Sequence, residues 1–230
     1  MRITVINGTE QKGCTFHLKE CFLSPLQEGN EITEFYLPGD FPHFCLGCKT
    51  CFMQSEDRCP HAEHTMKIWD AILEADLLVI AYPVYVSGIP GQLKALLDHF
   101  ACHHMVHKPD KGMFAKRAVI LSQSLRSSNR TGQREVENNL TWLGISDIKS
   151  MGFTLKDSYL WDELTQKRIK KIDRTVRKMA CNYRSIAPTK KSIKVHFLFA
   201  ISKMMIQKSL KNTCTPSSDA QYWRSQGWLS

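Results

Sequence analysis

The chain has 230 residues, 43% of them hydrophobic and 23% charged, with a formal net charge of +9. That is material for one large domain, alone or with an appendage, and no stretch nears the roughly 20 apolar residues that a bilayer span requires. Residues 1–160 hold 16 Lys and Arg against 18 Asp and Glu, and residues 161–230 hold 15 against 4. The basic block carries no base-reading motif, so its charge argues for a solvated basic face rather than nucleic-acid binding.

"MRITVINGTE" opens on a strand pattern and lacks the apolar core of a signal peptide. The expectation is a cytoplasmic protein whose thiols stay reduced. Arg2–Asn7 alternates as a strand, and a helix follows from Thr15 toward Leu26. Glu31–Leu37 is a second strand, and Pro38–Pro60 is a loop rich in Pro, Gly and Cys. Residues 64–74 place Met66, Trp69, Ile72 and Leu73 on one helical face. Asp76–Tyr82 is a near-continuous apolar run, as in a central parallel strand covered on both faces.

Pro90 opens the next helix, with Leu93, Leu96 and Leu97 inward. Lys116–Ser124 is a fourth strand. A helix over about 133–143, a strand over about 147–154 and a helix from Asp162 to about Tyr183 complete the series. Strand and helix alternate five times, which predicts a doubly wound α/β sheet with right-handed crossovers. A domain over 1–187 and a basic, apolar helical tail over 188–230 are expected, with Ser192–Leu210 apolar on more than one face.

Ligands of such sheets sit beyond the carboxyl ends of the strands. "NGTEQKGCT" ends the first strand there. Thr9, Gly13 and Thr15 suit a monophosphate held by backbone N–H groups, hydroxyls and a helix N-terminus, with Lys12 adding charge. A plain turn fits the same residues. Neither a GxGxxG fingerprint nor a Walker loop is present. "YPVYVSGIPGQLKALLD" ends the third strand. Pro83 and Pro90 stiffen it, Gly88 admits close backbone approach, and Tyr85 offers a ring to stack on a flat ligand.

Together these stretches resemble the flavodoxin-like NAD(P)H-dependent FMN reductases, specifically their iron-sulfur flavoprotein branch, over about residues 1–155. The matching features are the phosphate loop, a compact cysteine loop, and a Pro-Val-Tyr loop leading to Lys94 and Asp98. The resemblance implies a five-stranded parallel sheet carrying FMN. Phosphate contacts then fall on Thr9, Gln11, Lys12, Gly13, Cys14 and Thr15, and ring contacts on Pro83, Val84, Tyr85 and Gly88. Ser122, Gln123 and Ser124 line the loop after the fourth strand. The family's loop is often Ser-Pro-Arg-Lys; here it is Thr9-Glu10-Gln11-Lys12, and His61 and His64 stand where paired acids are common. The resemblance also implies a homodimer or homotetramer, with a small redox substrate or an electron-carrier protein as partner. Attachment to a membrane surface is disfavoured.

Cys45, Cys48, Cys51 and Cys59 are spaced C-x2-C-x2-C-x7-C. Such a run suits a [4Fe–4S] cluster. Zinc takes four thiolates too, and free thiols or disulfides fit the same residues. Cys14, Cys21, Cys102, Cys181 and Cys214 read as small buried or incidental thiols. His99, His103, His104 and His107 read as a solvated helix end, although His99/His103 and His103/His107 have the spacing of a helical metal pair. No base, nucleophile or triad stands out, as expected where cofactors carry the chemistry. The readings are a flavin oxidoreductase or electron carrier with FMN and a [4Fe–4S] cluster, an NAD(P)H-linked FMN/quinone reductase without a cluster, and an interaction protein built on zinc.

Overall fold

A computed structural model describes residues 1–156, 159–185, 189–212 and 216–229. Five parallel strands form one sheet in the order β2-β1-β3-β4-β5. They are β1 (Arg2–Asn7), β2 (Glu31–Tyr36), β3 (Leu77–Pro83), β4 (Arg117–Ser124) and β5 (Asp147–Thr154). This is the flavodoxin-like strand order.

Alternation along the strands feeds two cores. Ile6, Ile80, Tyr82 and Ile120 point to one face, under α3 (Ala62–Glu74), α4 (Gly91–His99) and α5 (Arg130–Trp142). Ile3, Val5, Val79 and Leu121 point to the other, under α1 (Cys14–Leu23) and α6 (Gln166–Cys181). The central strand β3 is buried from Leu77 to Tyr82. Its unbroken apolar run follows from having helices on both sides.

Element ends differ from the sequence reading in ways that local chemistry explains. The first α-helix stops at Leu23, and Pro25 continues the chain as a 3-10 turn over Ser24–Leu26. The helix expected from Asp162 begins at Gln166, because Trp161–Glu163 form a turn of their own. The Glu163 carboxylate closes that turn by accepting from the N–H groups of Tyr159 at 2.7 Å and Leu160 at 3.0 Å. A one-turn helix, α2 (Thr50–Met53), lies inside the cysteine loop.

The tail forms α7 (Ile193–Asn212) and α8 (Ser218–Ser225). The expected boundary at 187/188 and Cys214 lie outside the described residues. Val195 packs on Met105 and Phe114. Trp223 is fully buried, stacks on Phe199 at 4.9 Å, and donates its indole N–H to the His107 carbonyl at 2.6 Å. Ile193, Phe197, Met204 and Met205 of α7 stay exposed. No helix among the described residues is long and apolar enough to cross a membrane.

Candidate flavin and metal sites

Three loops leave the carboxyl ends of β1, β3 and β4, and they meet. The Gly8 N–H bonds the Ala81 carbonyl at 2.8 Å, and Gln92 donates to the Gly8 carbonyl at 2.9 Å. Val84 N–H bonds the Gln123 carbonyl at 2.7 Å. Residues far apart in sequence are thereby joined into one rim.

On the first loop, Gln11, Lys12 and Gly13 are exposed, Thr9 is half-buried, and Cys14 and Thr15 are buried in the first turn of α1. The Thr9 hydroxyl accepts the Gln11 N–H at 3.2 Å, a local turn. No side chain caps α1, and no acid stands in its first turn. Its leading N–H groups and positive dipole end are therefore available to an anion. The Glu10 carboxylate folds against Gly39 in the next loop. Burial pushes the Cys14 thiol up, so it stays neutral there.

On the second loop, Tyr85 and Gly88 exchange backbone hydrogen bonds at 3.1 and 2.9 Å, closing a two-residue turn. Its tip, Val86 and Ser87, lies at φ 47° and 64°. Tyr85 is 46% exposed, so its ring is open to a partner, while Pro83 and Val84 are half-buried. On the third loop, Ser122 accepts from Gln133 at 2.9 Å, and Ser124 donates to the Ser127 carbonyl at 2.6 Å. Both hydroxyls are spent on shaping the loop, and all three of Ser122, Gln123 and Ser124 are buried. This rim, with its uncapped helix end and open aromatic ring, fits a flat monophosphate cofactor.

The cysteine loop has its own pocket. Cys45, Cys48, Cys51 and Cys59 all line it, against Trp69 and Phe100. Cys45 and Cys48 are exposed, and Cys51 and Cys59 are half-buried. Thr50 donates to the Cys48 sulfur at 3.3 Å and favours its thiolate. Four soft donors on one apolar wall suit a thiolate-held iron-sulfur group.

Sequence reasoning missed three features of this pocket and its supporting loop. Cys102, read as a small buried or incidental thiol, is indeed buried, but it lies in the pocket wall beside Cys51, and burial drives its thiol pKa strongly up. Lys108 is buried and donates to the carbonyls of Cys51 and Gln54, each at 2.9 Å, tying down the loop. The third feature is a set of histidines. The expected solvated helix end is a correction: His99 and His103 are buried. After His99 the chain tightens into a 3-10 turn, Phe100–His103. The two rings therefore diverge instead of forming a helical pair. His103 stacks on Trp69 at 3.8 Å, and burial followed by Lys108 lowers its pKa to about 3. His99 instead reaches His61, with Nε2 and Nδ1 2.9 Å apart. Only the spacing of His61 behind Cys59 hinted at this.

The tail aromatics contact residues of this same chain. Trp223 and Trp228 pack on each other at 5.1 Å within this chain. The Tyr222 hydroxyl donates to the Pro109 carbonyl at 2.8 Å. Trp223 is thereby fully buried, while Tyr222 and Trp228 stay half-buried.

A flavodoxin-like sheet with this rim defines a nucleotide-cofactor oxidoreductase class. Residues 1–158 match the NADPH-dependent FMN reductase family, and the chain belongs to that family. It is similar to an iron-sulfur flavoprotein of Methanosarcina thermophila, 26% identical over 155 residues, which cover 66% of this chain and 78% of that protein. An iron-sulfur flavoprotein of Methanocaldococcus jannaschii is 26% identical over 137 residues, 59% of this chain and 66% of the relative, just under two thirds of its length. In fold it is similar to an FMN-dependent NADH-azoreductase of Bacillus anthracis solved with FMN. The TM-score is 0.60 at 13% identity, over 80% of this chain and 100% of that one. An NAD(P)H:quinone oxidoreductase of Methanothermobacter marburgensis gives 0.60 at 14% identity, over 81% and 98%.

Proposed function

We propose that this chain is an FMN-dependent oxidoreductase that takes electrons from NAD(P)H, or from a small electron-carrier protein, and holds a [4Fe–4S] cluster on Cys45, Cys48, Cys51 and Cys59. The observation that carries the reading is the convergence of those four thiols on one apolar pocket in a chain whose other loops form a monophosphate rim. Similarity to two iron-sulfur flavoproteins supports it. When bound, FMN supplies two-electron and one-electron transfer, and the cluster supplies single-electron steps.

The chain's own residues bind, orient and exclude water. The α1 N-terminus with Thr9, Gln11, Lys12, Gly13, Cys14 and Thr15 takes the phosphate. Pro83, Val84, Tyr85 and Gly88 would hold the ring, with the loop around Gln123 beside them. Ser122 and Ser124 set that loop's shape rather than touch the ring. No side chain is assigned as an acid, base or nucleophile. Subunits meet through the exposed apolar face of α7 in a homodimer or homotetramer.

The test is the absorption spectrum of anaerobically purified, iron-replete protein, with iron, acid-labile sulfide and released flavin assayed together. Four irons and one FMN per chain are expected, and Cys48→Ala keeps the flavin bands while losing the broad cluster absorption. Protein without iron sinks the cluster, and released FAD sinks the monophosphate assignment.

A further inference from the structure

We infer that Cys59, His61 and His99 form a site for one borderline-soft divalent ion, with zinc as the reference occupant. The Cys59 sulfur and one nitrogen of each histidine all lie within 4.8 Å of one another, and the two nitrogens are 2.9 Å apart. Donors around a tetrahedral zinc are separated by roughly 3.3–3.7 Å, given bonds of about 2.0–2.3 Å. The nitrogen pair stands slightly closer than that spacing and the sulfur lies within 4.8 Å of both donors, so small side-chain rotations admit the ion. One thiolate and two neutral imidazoles match the donor preference of zinc.

The surrounding contacts prepare these donors. His99 Nδ1 lies 2.8 Å from the Ala95 carbonyl. A carbonyl only accepts, so Nδ1 carries the hydrogen and Nε2 presents its lone pair toward His61. Such an outer hydrogen bond is the usual support of a metal-bound histidine. His61 caps α3, and its carbonyl accepts from Thr65 N–H at 3.0 Å. The His43 ring lies flat on His61 at 4.4 Å, within 2° of parallel. Pro60 stiffens the one-residue link between Cys59 and His61. His99 ends a separate helix, α4. The ion would therefore clamp the end of the cysteine loop to the α3–α4 face.

Binding sends the Cys59 thiol proton to solvent. The hydrogen between the rings moves to His61 Nε2, freeing Nδ1 for the ion. Three protein donors leave a fourth position for water. Cys59 also belongs to the four-cysteine set, so this ion and the cluster are alternative occupants. The inference does not rest on the flavin.

The test uses the full-length chain, reduced and stripped of metal, titrated with Co²⁺ and then displaced with Zn²⁺. One equivalent of Co²⁺ is expected, with a thiolate-to-metal absorption band that Cys59→Ser removes. His61→Ala and His99→Ala each weaken affinity about tenfold or more, while Cys48→Ala leaves it within about twofold. FMN retention and circular dichroism check folding. If His99→Ala fails to fold, the exchange His61→Gln decides, with the same expected loss. No cobalt binding, or binding that survives the histidine changes and falls with Cys48→Ala, overturns the site. FMN retention is read in the same samples, so either result leaves the flavin reading to its own test.

Discussion

Gly8 lies so close to Tyr82 that a Cβ built on it would stand 2.7 Å from the Tyr82 Cβ. Real side chains do not approach that closely. The β1 loop and the end of β3 touch here because one of the two residues has no side chain. Gly8→Ala is expected to destabilise by about 1–3 kcal/mol through overpacking, and to loosen flavin by pushing the phosphate loop off β3. Urea midpoints and a flavin-release assay measure both. Unchanged flavin retention would separate this contact from the cofactor rim.

Lys108 holds the cysteine loop through two carbonyls. Lys108→Met keeps the length of the stem but takes the ammonium donor from the carbonyls of Cys51 and Gln54, leaving Gln54 the weaker Ser218 hydroxyl at 3.2 Å. The expected cost is about 1–3 kcal/mol, together with less iron per chain after anaerobic reconstitution and unaltered flavin. An undiminished iron-to-protein ratio would mean that the loop keeps its shape without this tie.

His103 gives a pH dependence with a defined sign. Its folded pKa is lowered by burial, then by Lys108, to about 3 from an unfolded value near 6.5. The unfolded chain binds the proton more readily, so this contribution is complete above the unfolded value. It is lost as pH falls from about 6.5 toward 3. By pH 4.5 the loss from this group is about 2–3 kcal/mol. His103→Phe keeps a ring on Trp69 and removes the titration. Its stability should fall less steeply between pH 6.5 and 4.5, read from urea midpoints, and identical slopes would contradict the assignment.

The two faces of the tail make opposite predictions. Trp223 is buried under its own chain, so Trp223→Ala should cost about 3–5 kcal/mol. Phe197 and Met204 are 63% and 61% exposed on α7. Changing both to Glu should leave the melting temperature nearly unaltered and lower the subunit count measured by light scattering. A scattering mass equal to that of the wild type would remove this face as the subunit contact.

Much of the fold was legible because burial on both sides of a parallel strand leaves a direct record in sequence. Leu77–Tyr82 needed helices above and below, and an apolar run was the only local solution. The same holds for the alternation of Arg2–Asn7 and the turn chemistry of "NGTEQKGCT". The C-x2-C-x2-C run announced a soft-donor loop for a similar reason: its donors lie near each other along the chain. Periodicity could not report where α4 tightens into a 3-10 turn, and that change sends His99 and His103 in different directions. Nor could it bring His61 to His99, 38 residues away, place Cys102 beside Cys51, or lay Lys108 under the cysteine loop. The sequence by itself determined the sheet, its loops and the chemical character of each. Packing of α3 against α4, and of the tail on its own domain, decided which side chains share a pocket, because such contacts are set by three-dimensional closure and leave no periodic trace in the chain.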